Sequence, residues 1–258
     1  AVWAQGAKKV SLLLYERGTK EIWQQIEYPP ESFCGEYASL IFPGLKTFPW
    51  DYTFVLDGKL TPDPYAAVVH GRGRFGETGE EVRCGYLSPE VYRPERELRL
   101  PEDIVIYKLH VRGFTKQRTS GVKKKGTFQG VREKIPYLQS LGITAVELMP
   151  AYDFLEKDEK KQGKYDLPGT ENQRVNYWGY TGGYYFVPKA SYCATKNPRK
   201  EFAEMVEALH EAGLECYMDI FFTGDEDMAM VRRVLYHWKR EYGVDGFCIL
   251  GENISYEA

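Results

Sequence analysis

The amino-acid sequence predicts a chain of two parts, an all-β region followed by an α/β region. In the first part, short aromatic and β-branched runs alternate with turn residues, a spacing typical of a β-sandwich. In the second part, apolar strands alternate with amphipathic helices four times, which predicts parallel strands joined by right-handed crossovers. The chain has 258 residues, 43% of them hydrophobic, and is therefore long enough for two packed units.

The β region is expected over residues 1–88. Its predicted strands are "KKVSLLLY", "KEIWQQIEY", "GEYASLIF" and "PWDYTFVLDG", and turn pairs such as Pro43-Gly44 and Asp57-Gly58 separate them. The segment that follows, residues 89–103, is rich in proline and charge and is predicted to be a linker. We therefore expect residues 1–88 to form a β-sandwich of the immunoglobulin-like type.

The α/β region is expected over residues 104–258 and opens with the strand "DIVIYKLHV". A helix follows, whose apolar stripe is predicted to consist of Val131, Ile135, Leu138 and Leu141. Pro136 lies inside this helix and is expected to interrupt or kink it. The run "ITAVELMP" is apolar almost throughout, as a parallel strand buried on both faces should be.

The next helix has the clearest boundaries in the sequence. Asn197 is predicted to cap it, Pro198 to occupy its first position and Gly213 to end it. Its predicted apolar stripe consists of Phe202, Val206 and Leu209. The strand "LECYMDIFF", the helix "MVRRVLYHWKREYG" and the strand "VDGFCIL" complete the pattern.

Composition excludes several classes of protein. A net charge of −3 argues against a nucleic-acid-binding face, and the five cysteines show no spacing typical of disulfide frameworks or zinc sites. We therefore expect no metal ion and no other cofactor. The sequence contains no apolar run near 18 residues and no leader pattern, so we expect no membrane span and a cytoplasmic location. The 20 tyrosines and five tryptophans either fill cores or stack on sugar rings, and composition leaves both roles open.

Longer motifs resemble a known family. "IYKLHVRGFT", "GTFQGVREKIPYLQSLGITAVELMP", "NYWGYTGGYYFVPKASY", "EFAEMVEALHEAGLECYMDI" and "YGVDGF" resemble the α-amylase superfamily, glycoside hydrolase family 13, in its pullulanase, isoamylase and debranching-enzyme branch. The resemblance implies that residues 104–258 form the first half, about four βα units, of a TIM-type (β/α)8 barrel. "DYTFVLDGKLTPDPYA" is similar to the family-48 carbohydrate-binding module that precedes such barrels. An α-glucan is the partner that the resemblance implies.

The catalytic motifs of that family are changed in this sequence. The third barrel strand of the family ends in Asp-x-x-x-Asn-His, whereas here Asp219 is followed by Thr223 and Gly224 at the last two positions. The fourth strand of the family reads Gly-Phe-Arg-x-Asp, but Cys248 stands at the arginine and Leu250 at the aspartate nucleophile. No counterpart of the general-acid glutamate is present either. The resemblance therefore implies that this chain has no catalytic residue.

Some side chains remain candidates for a function. Glu252 would share a face with Leu250 if the strand continued, so it could replace the missing carboxylate. The resemblance implies that Tyr180 stacks on sugar with Trp178 beside it, and packing of the loop would explain both residues equally well. Asp219 either contacts sugar or accepts backbone N–H bonds as a structural carboxylate. Asp225, Glu226 and Asp227 are further acids, which a helix N-terminus would also explain. His110 and His237 are expected to be structural.

Three hypotheses about function follow. The first is a non-catalytic α-glucan-binding piece, or half of a larger hydrolase. The second is an active α-1,6-glucosidase whose carboxylates are relocated or supplied by a partner, and the third is a structural protein without affinity for sugar. Four strands of a barrel leave two open edges, so we also expect self-association or a partner chain that completes the barrel.

Overall fold

The computed structural model describes residues 1–44, 50–72, 74–76, 82–86, 96–156 and 175–251. The chain forms two compact units. Unit 1 comprises Ala1–Arg72 and Gly79–Glu90, and unit 2 comprises Gly73–Thr78 and Val91–Ala258. The first part of the predicted linker, residues 89–95, lies outside the described residues, so its boundaries stay a prediction.

Unit 1 is built from short antiparallel strands. Its described strands are β1 (Val2–Trp3), β2 (Val10–Glu16), β3 (Ile22–Glu27), β4 (Phe33–Cys34), β5 (Tyr37–Ala38), β6 (Trp50–Leu56), β7 (Lys59–Thr61), β8 (Val68–His70) and β9 (Arg83–Gly85), with a 3-10 turn at Pro30–Ser32. One sheet has the order β3-β2-β6-β9-β8 with β7 on β6, and the second has the order β1-β5-β4. The run "GEYASLIF" was predicted as one strand, but only Tyr37–Ala38 pairs, a correction to that prediction.

The two sheets of unit 1 share one apolar core. Val2 and Ala38 from the smaller sheet lie in the same buried cluster as Leu12, Leu14 and Phe54 from the larger one. Alternate residues of β2 and β6 point to this cluster, as expected for strands with one face on a core. Two sheets closed over a common core agree with the sandwich prediction, and the immunoglobulin-like topology stays a prediction.

Unit 2 alternates strands and helices. Its strands are β10 (Ile106–Leu109), β11 (Ala145–Leu148), β12 (Tyr152–Phe154), β13 (Gly183–Pro188), β14 (Glu215–Phe222) and β15 (Gly246–Gly251). Its helices are α1 (Val111–Lys116), α2 (Phe128–Glu133), α3 (Ile135–Ser140), α4 (Pro198–Glu211) and α5 (Met228–His237), which a π-helical turn at Trp238–Tyr242 extends. Short 3-10 turns occur at Pro101–Asp103, Arg118–Ser120 and Ala190–Tyr192.

The four parallel strands of unit 2 pair in chain order, β10-β11-β14-β15. Helices lie between consecutive strands, which is the arrangement of successive βα units in a barrel. In the strand register, Lys108 of β10 lies opposite Glu147 of β11, and Asp219 of β14 lies opposite Cys248 of β15. Because alternate residues share a face, these side chains and Leu250 lie on the same side of the sheet. We call this side the lumenal face, since it would face the inside of a closed barrel.

The helix predictions are confirmed with one correction. Pro136 does break the predicted helix, because α2 ends at Glu133 and α3 begins at Ile135. The last residue of the predicted stripe, Leu141, follows the end of α3 and is 44% exposed, so it is not part of the buried stripe. The boundaries of α4 agree with the prediction: Asn197 caps it and Pro198 is its first residue. No helix among the described residues is long and apolar enough to cross a membrane.

Candidate functional site

A group of charged and polar side chains lies on the lumenal face. The Lys108 Nζ atom is 2.7 Å from Glu147 Oε1 and 2.7 Å from Asp219 Oδ2. The Tyr180 hydroxyl donates a hydrogen bond of 2.7 Å to the same Asp219 Oδ2. One oxygen of each carboxylate and the Cys248 sulfur all lie within 4.8 Å of one another. We call these residues (Lys108, Glu147, Tyr180, Asp219 and Cys248) the lumenal cluster.

Burial and ion pairing oppose each other in this cluster. Burial raises the pKa of Asp219, although the Lys108 and Tyr180 bonds act to lower it. Burial also acts to raise the pKa of Glu147, but the Lys108 ammonium and the neighbouring Asp219 together outweigh it and leave that pKa below its usual value. Burial acts to lower the pKa of Lys108, yet the bonds to Asp219 and Glu147 raise it, so the ammonium stays charged. Of the two carboxyl groups, Asp219 therefore has the raised pKa and is the one whose charged form is less favoured.

The remaining two members of the cluster are neutral. Burial raises the pKa of the Tyr180 hydroxyl to about 12, with a further contribution from its bond to Asp219. Burial, then the nearby Asp219 and Glu147 charges, raise the pKa of the Cys248 thiol. The cluster thus contains two carboxyl groups, one ammonium and two neutral donors.

The contacts of Asp219 are not those that the structural role predicted for it. That role required backbone N–H donors, but Asp219 is bonded to the side chains of Lys108 and Tyr180. The Asp219 side chain has no exposed surface, and its Oδ1 atom has no hydrogen-bond partner among the described residues. A buried carboxylate oxygen without a donor is unusual, since most buried polar atoms are hydrogen-bonded.

The end of β15 offers a hydrocarbon side chain to the lumenal face. Leu250 pairs with Phe221 of β14 and follows Cys248 by two residues on that face. Glu252, considered as a replacement carboxylate, lies outside the described residues. Within the described part of the chain, the carboxylates that β11 and β14 place on the lumenal face nearest this position are thus Glu147 and Asp219 of the lumenal cluster.

The acids after β14 are used to build the loop. Glu226 accepts hydrogen bonds from the Tyr185 hydroxyl at 2.6 Å, from the Thr223 hydroxyl at 3.0 Å and from the Gly224 N–H at 3.1 Å. Asp227 caps α5 by accepting from the Met230 N–H at 2.6 Å. Helix capping was one of the two explanations considered for these acids, and it holds for Asp227.

The two aromatic candidates have different surroundings. Trp178 is 54% exposed, and its ring contacts Tyr177 and His110 in edge-to-face geometry. Tyr180 is half-buried, and its hydroxyl is committed to Asp219. Trp178 therefore offers an open aromatic surface, whereas Tyr180 helps to hold the lumenal cluster.

Both histidines considered have structural contacts. His110 Nδ1 accepts from the Gly113 N–H at the start of α1, so its Nε2 carries the proton and donates to the Tyr177 carbonyl at 2.7 Å. His237 donates from Nε2 to the Phe186 carbonyl at 2.9 Å, and burial lowers its pKa to about 4. Each ring is thus held neutral by its surroundings.

Sequence reasoning did not identify Lys108 and Glu147. Both lie within apolar strands, "IYKL" and "AVEL", where a single charged residue is the available signal. Their proximity to Asp219 follows from the register of three strands, which the sequence does not specify.

Comparisons with known proteins agree with this architecture. The family model described as "Alpha amylase, catalytic domain" matches residues 108–229. The chain is 33% identical over 199 residues to isoamylase 1, chloroplastic, of Arabidopsis thaliana, covering 66% of this chain and 25% of that protein. It is 41% identical over 190 residues to the isoamylase of Pseudomonas amyloderamosa, covering 64% of this chain and 24% of that protein. The chain thus spans about a quarter of the length of these curated relatives.

Solved structures show the same fold. The crystal structure of apo pullulanase from Paenibacillus barengoltzii superposes with a TM-score of 0.73 at 23% sequence identity, covering 96% of this chain and 45% of that one. Pullulanase type I from Bacillus subtilis, complexed with maltose, gives a TM-score of 0.70 at 22% identity, covering 96% and 40%. The chain is also 34% identical to isoamylase 3, chloroplastic, of Oryza sativa subsp. japonica, covering 67% of this chain and 24% of that protein. It therefore belongs to the α-amylase superfamily, in its debranching-enzyme branch.

Proposed function

We propose that this chain is a non-catalytic α-glucan-binding piece of a debranching-type hydrolase. The observation that carries the proposal is the hydrocarbon side chain of Leu250, which stands where the family places its nucleophile. A retaining glycosidase needs one carboxylate to attack the anomeric carbon and another to protonate the leaving oxygen, roughly 5–5.5 Å apart. Removal of a covalent nucleophile costs several powers of ten in rate.

The carboxylates nearby are poor substitutes. Glu147 and Asp219 share one ammonium, that of Lys108, which lies 2.7 Å from an oxygen of each. An ion pair of this kind lowers the nucleophilicity of a carboxylate and fixes its orientation. Both side chains also arise within or near the middle of their strands, whereas catalytic groups of barrel enzymes come from the strand ends.

Affinity for α-glucan rests on two supports. Related pullulanase structures are described as complexes with maltohexaose and α-cyclodextrin, and with maltose. In this chain the exposed ring of Trp178 offers a flat apolar face beside polar groups, which suits the C–H face of a sugar. Unit 1, as an immunoglobulin-like module of the family-48 type, would supply a second sugar-binding surface.

The open edges of the parallel sheet support the proposal that further strands pair with this chain. In the part of the chain that the structure describes, β10 and β15 each pair with one neighbour. Val105 and Ile106, at the β10 edge, are 54% and 45% exposed. Further strands, from the rest of a longer product, a partner chain or a second copy, would pair with these edges. Light scattering across a wide concentration range that gives a monomer throughout would exclude self-association.

Two assays separate this proposal from its competitors. Release of reducing sugar from pullulan distinguishes an active α-1,6-glucosidase, and we expect none. Retention during electrophoresis through a gel containing glycogen distinguishes a binding protein from a structural protein, and we expect retardation. Activity at ordinary turnover rates, or migration equal to that in a sugar-free gel, would contradict the proposal.

The binding surface is tested by Trp178→Ala. We expect this change to weaken retention by glycogen about tenfold, because loss of an aromatic stacking face removes about 1–1.5 kcal/mol. Tyr236→Ala is the matched control, since Tyr236 is 58% exposed on α5, on the outer side of the sheet. Equal retention of both variants would remove Trp178 from the sugar-binding surface.

A further inference from the structure

We propose that the lumenal cluster binds a divalent transition-metal ion, with Zn²⁺ as the best fit, through Glu147, Asp219 and Cys248. From the sequence we expected no metal site, because the five cysteines show no spacing typical of zinc sites. They come from three adjacent strands, β11, β14 and β15, and the strand register brings their side chains together.

The geometry is compatible with a three-ligand site. One oxygen from each carboxylate and the Cys248 sulfur lie within 4.8 Å of one another. Ligand atoms bound to zinc at about 2.0–2.3 Å are separated by about 3.4–3.8 Å in a tetrahedral site. Side-chain rotations that close the group by about 1 Å would therefore create the site without a change in the strands.

A second observation supports binding of a cation by Asp219. Asp219 is fully buried, and its Oδ1 atom has no hydrogen-bond partner among the described residues. Its other oxygen, Oδ2, already accepts from Lys108 and Tyr180. A metal-binding carboxylate commonly has this arrangement, with outer groups orienting one oxygen while the other binds the ion.

Charge balance also favours a bound ion. Two carboxylates, one Lys108 ammonium and a neutral Cys248 thiol give the cluster a net charge of −1. A divalent ion that displaces the thiol proton adds a net charge of +1 and leaves the cluster neutral. Neutrality is preferred where groups are removed from water, so Lys108 does not have to leave when the metal binds.

The ligand set selects the kind of metal. A thiolate ligand favours Zn²⁺ or Co²⁺, whereas Mg²⁺ and Ca²⁺ prefer sites made of oxygen atoms. Three protein ligands leave a fourth position of a tetrahedral ion for water or another small ligand. This inference is independent of the proposed α-glucan binding, because it concerns the lumenal cluster and its test requires no sugar.

Cobalt spectroscopy of the full chain tests the site. We expect Co²⁺ to bind at one equivalent and to produce an ultraviolet thiolate-to-cobalt charge-transfer band, which Zn²⁺ then removes by displacement. Cys248→Ala should abolish the band, whereas Cys34→Ser, which changes an exposed cysteine of unit 1, should retain it. Glu147→Gln should keep the thiolate band while weakening Co²⁺ binding by about 10–100-fold, and circular dichroism checks that each variant is folded.

The outcomes decide the proposal. A band in the wild type and in Cys34→Ser that is absent from folded Cys248→Ala supports it. Absence of a thiolate band from the wild type, or its persistence in Cys248→Ala, overturns it. Unchanged Co²⁺ affinity in Glu147→Gln would remove that residue from the ligand set and leave two ligands, which also contradicts the proposed site.

Discussion

The Lys108→Met substitution tests how strongly the lumenal cluster depends on its one ammonium. It removes two contacts of 2.7 Å and leaves the Asp219 carboxylate buried without an opposite charge. Breaking a fully buried pair costs about 3–5 kcal/mol, whereas an exposed pair contributes about 0–1 kcal/mol. The Lys108 side chain is 37% exposed and that of Asp219 is fully buried, so we expect a loss of about 2 kcal/mol in the free energy of unfolding.

The pH dependence of this loss gives a sharper test. Burial already raises the pKa of Asp219 above 3.8, and removal of Lys108 raises it further. A carboxyl group with a raised folded-state pKa destabilises the protein above that pKa, and the effect disappears as pH falls and the group is protonated. The deficit of Lys108→Met should therefore be larger at about pH 7 than at about pH 5.

Urea unfolding measures both quantities. Trp238 is fully buried, so unfolding of unit 2 changes its contribution to the tryptophan fluorescence of the chain. Lys200→Met is the control, because the Lys200 side chain is 71% exposed and forms a helical surface pair with Glu204 at 3.8 Å. We expect the control to change the free energy of unfolding by less than about 0.5 kcal/mol. Equal losses in the two variants, or a Lys108→Met deficit that grows toward acid pH, would refute the reasoning.

Three further predictions concern the fold of unit 2. The pKa of His237 is lowered from 6.5 to about 4, so the unfolded state takes up its proton first and the free energy of unfolding should fall by about 3 kcal/mol as pH falls from 6.5 to about 4 in urea titrations. Gly183→Ala should lower the free energy of unfolding by about 1–3 kcal/mol, because a Cβ atom there would lie 2.5 Å from the Phe154 Cα. Asn197→Ala should cost about 1 kcal/mol in thermal or urea unfolding, because it removes the N-cap bond to the Lys200 N–H.

Each of these predictions has a control variant or an outcome that would contradict it. His237→Gln should flatten the acid slope, and an equal slope in the variant would assign it to other groups. Asn197→Asp keeps a capping oxygen, so stability near that of the wild type is expected, and an equal loss in both Asn197 variants would contradict the capping role. An unchanged unfolding midpoint in Gly183→Ala would show that β12 and β13 separate readily.

The sequence predicted best the elements whose signals are local. Helix α4 has its cap at Asn197, its proline at Pro198 and its left-handed glycine at Gly213, and all three depend only on neighbouring residues. Strand β14 was also predicted from a local signal, because it is a long apolar run. Leu141 was misplaced because α3 ends one residue earlier, and helix ends are set by hydrogen bonds that periodicity does not resolve.

The candidate site was predicted only where a motif marked it. Asp219, Cys248 and Leu250 were identified because they occupy positions of a known pattern. Lys108 and Glu147 carry no such mark, and their role follows from contacts across strands separated by dozens of residues. The hydrogen bond between Glu226, in the loop after β14, and Tyr185 was not predicted for the same reason, since Tyr185 lies on the distant strand β13.

The central claim is that this chain lacks an attacking carboxylate at the end of β15. The most direct measurement is the intact mass of the purified chain after incubation with a 5-fluoro-α-glucosyl fluoride, which traps the glycosyl intermediate of retaining glycosidases. An active isoamylase treated in parallel confirms that the reagent labels such enzymes. We predict an unchanged mass for this chain, and an increase by one glycosyl unit on any side chain would contradict the account.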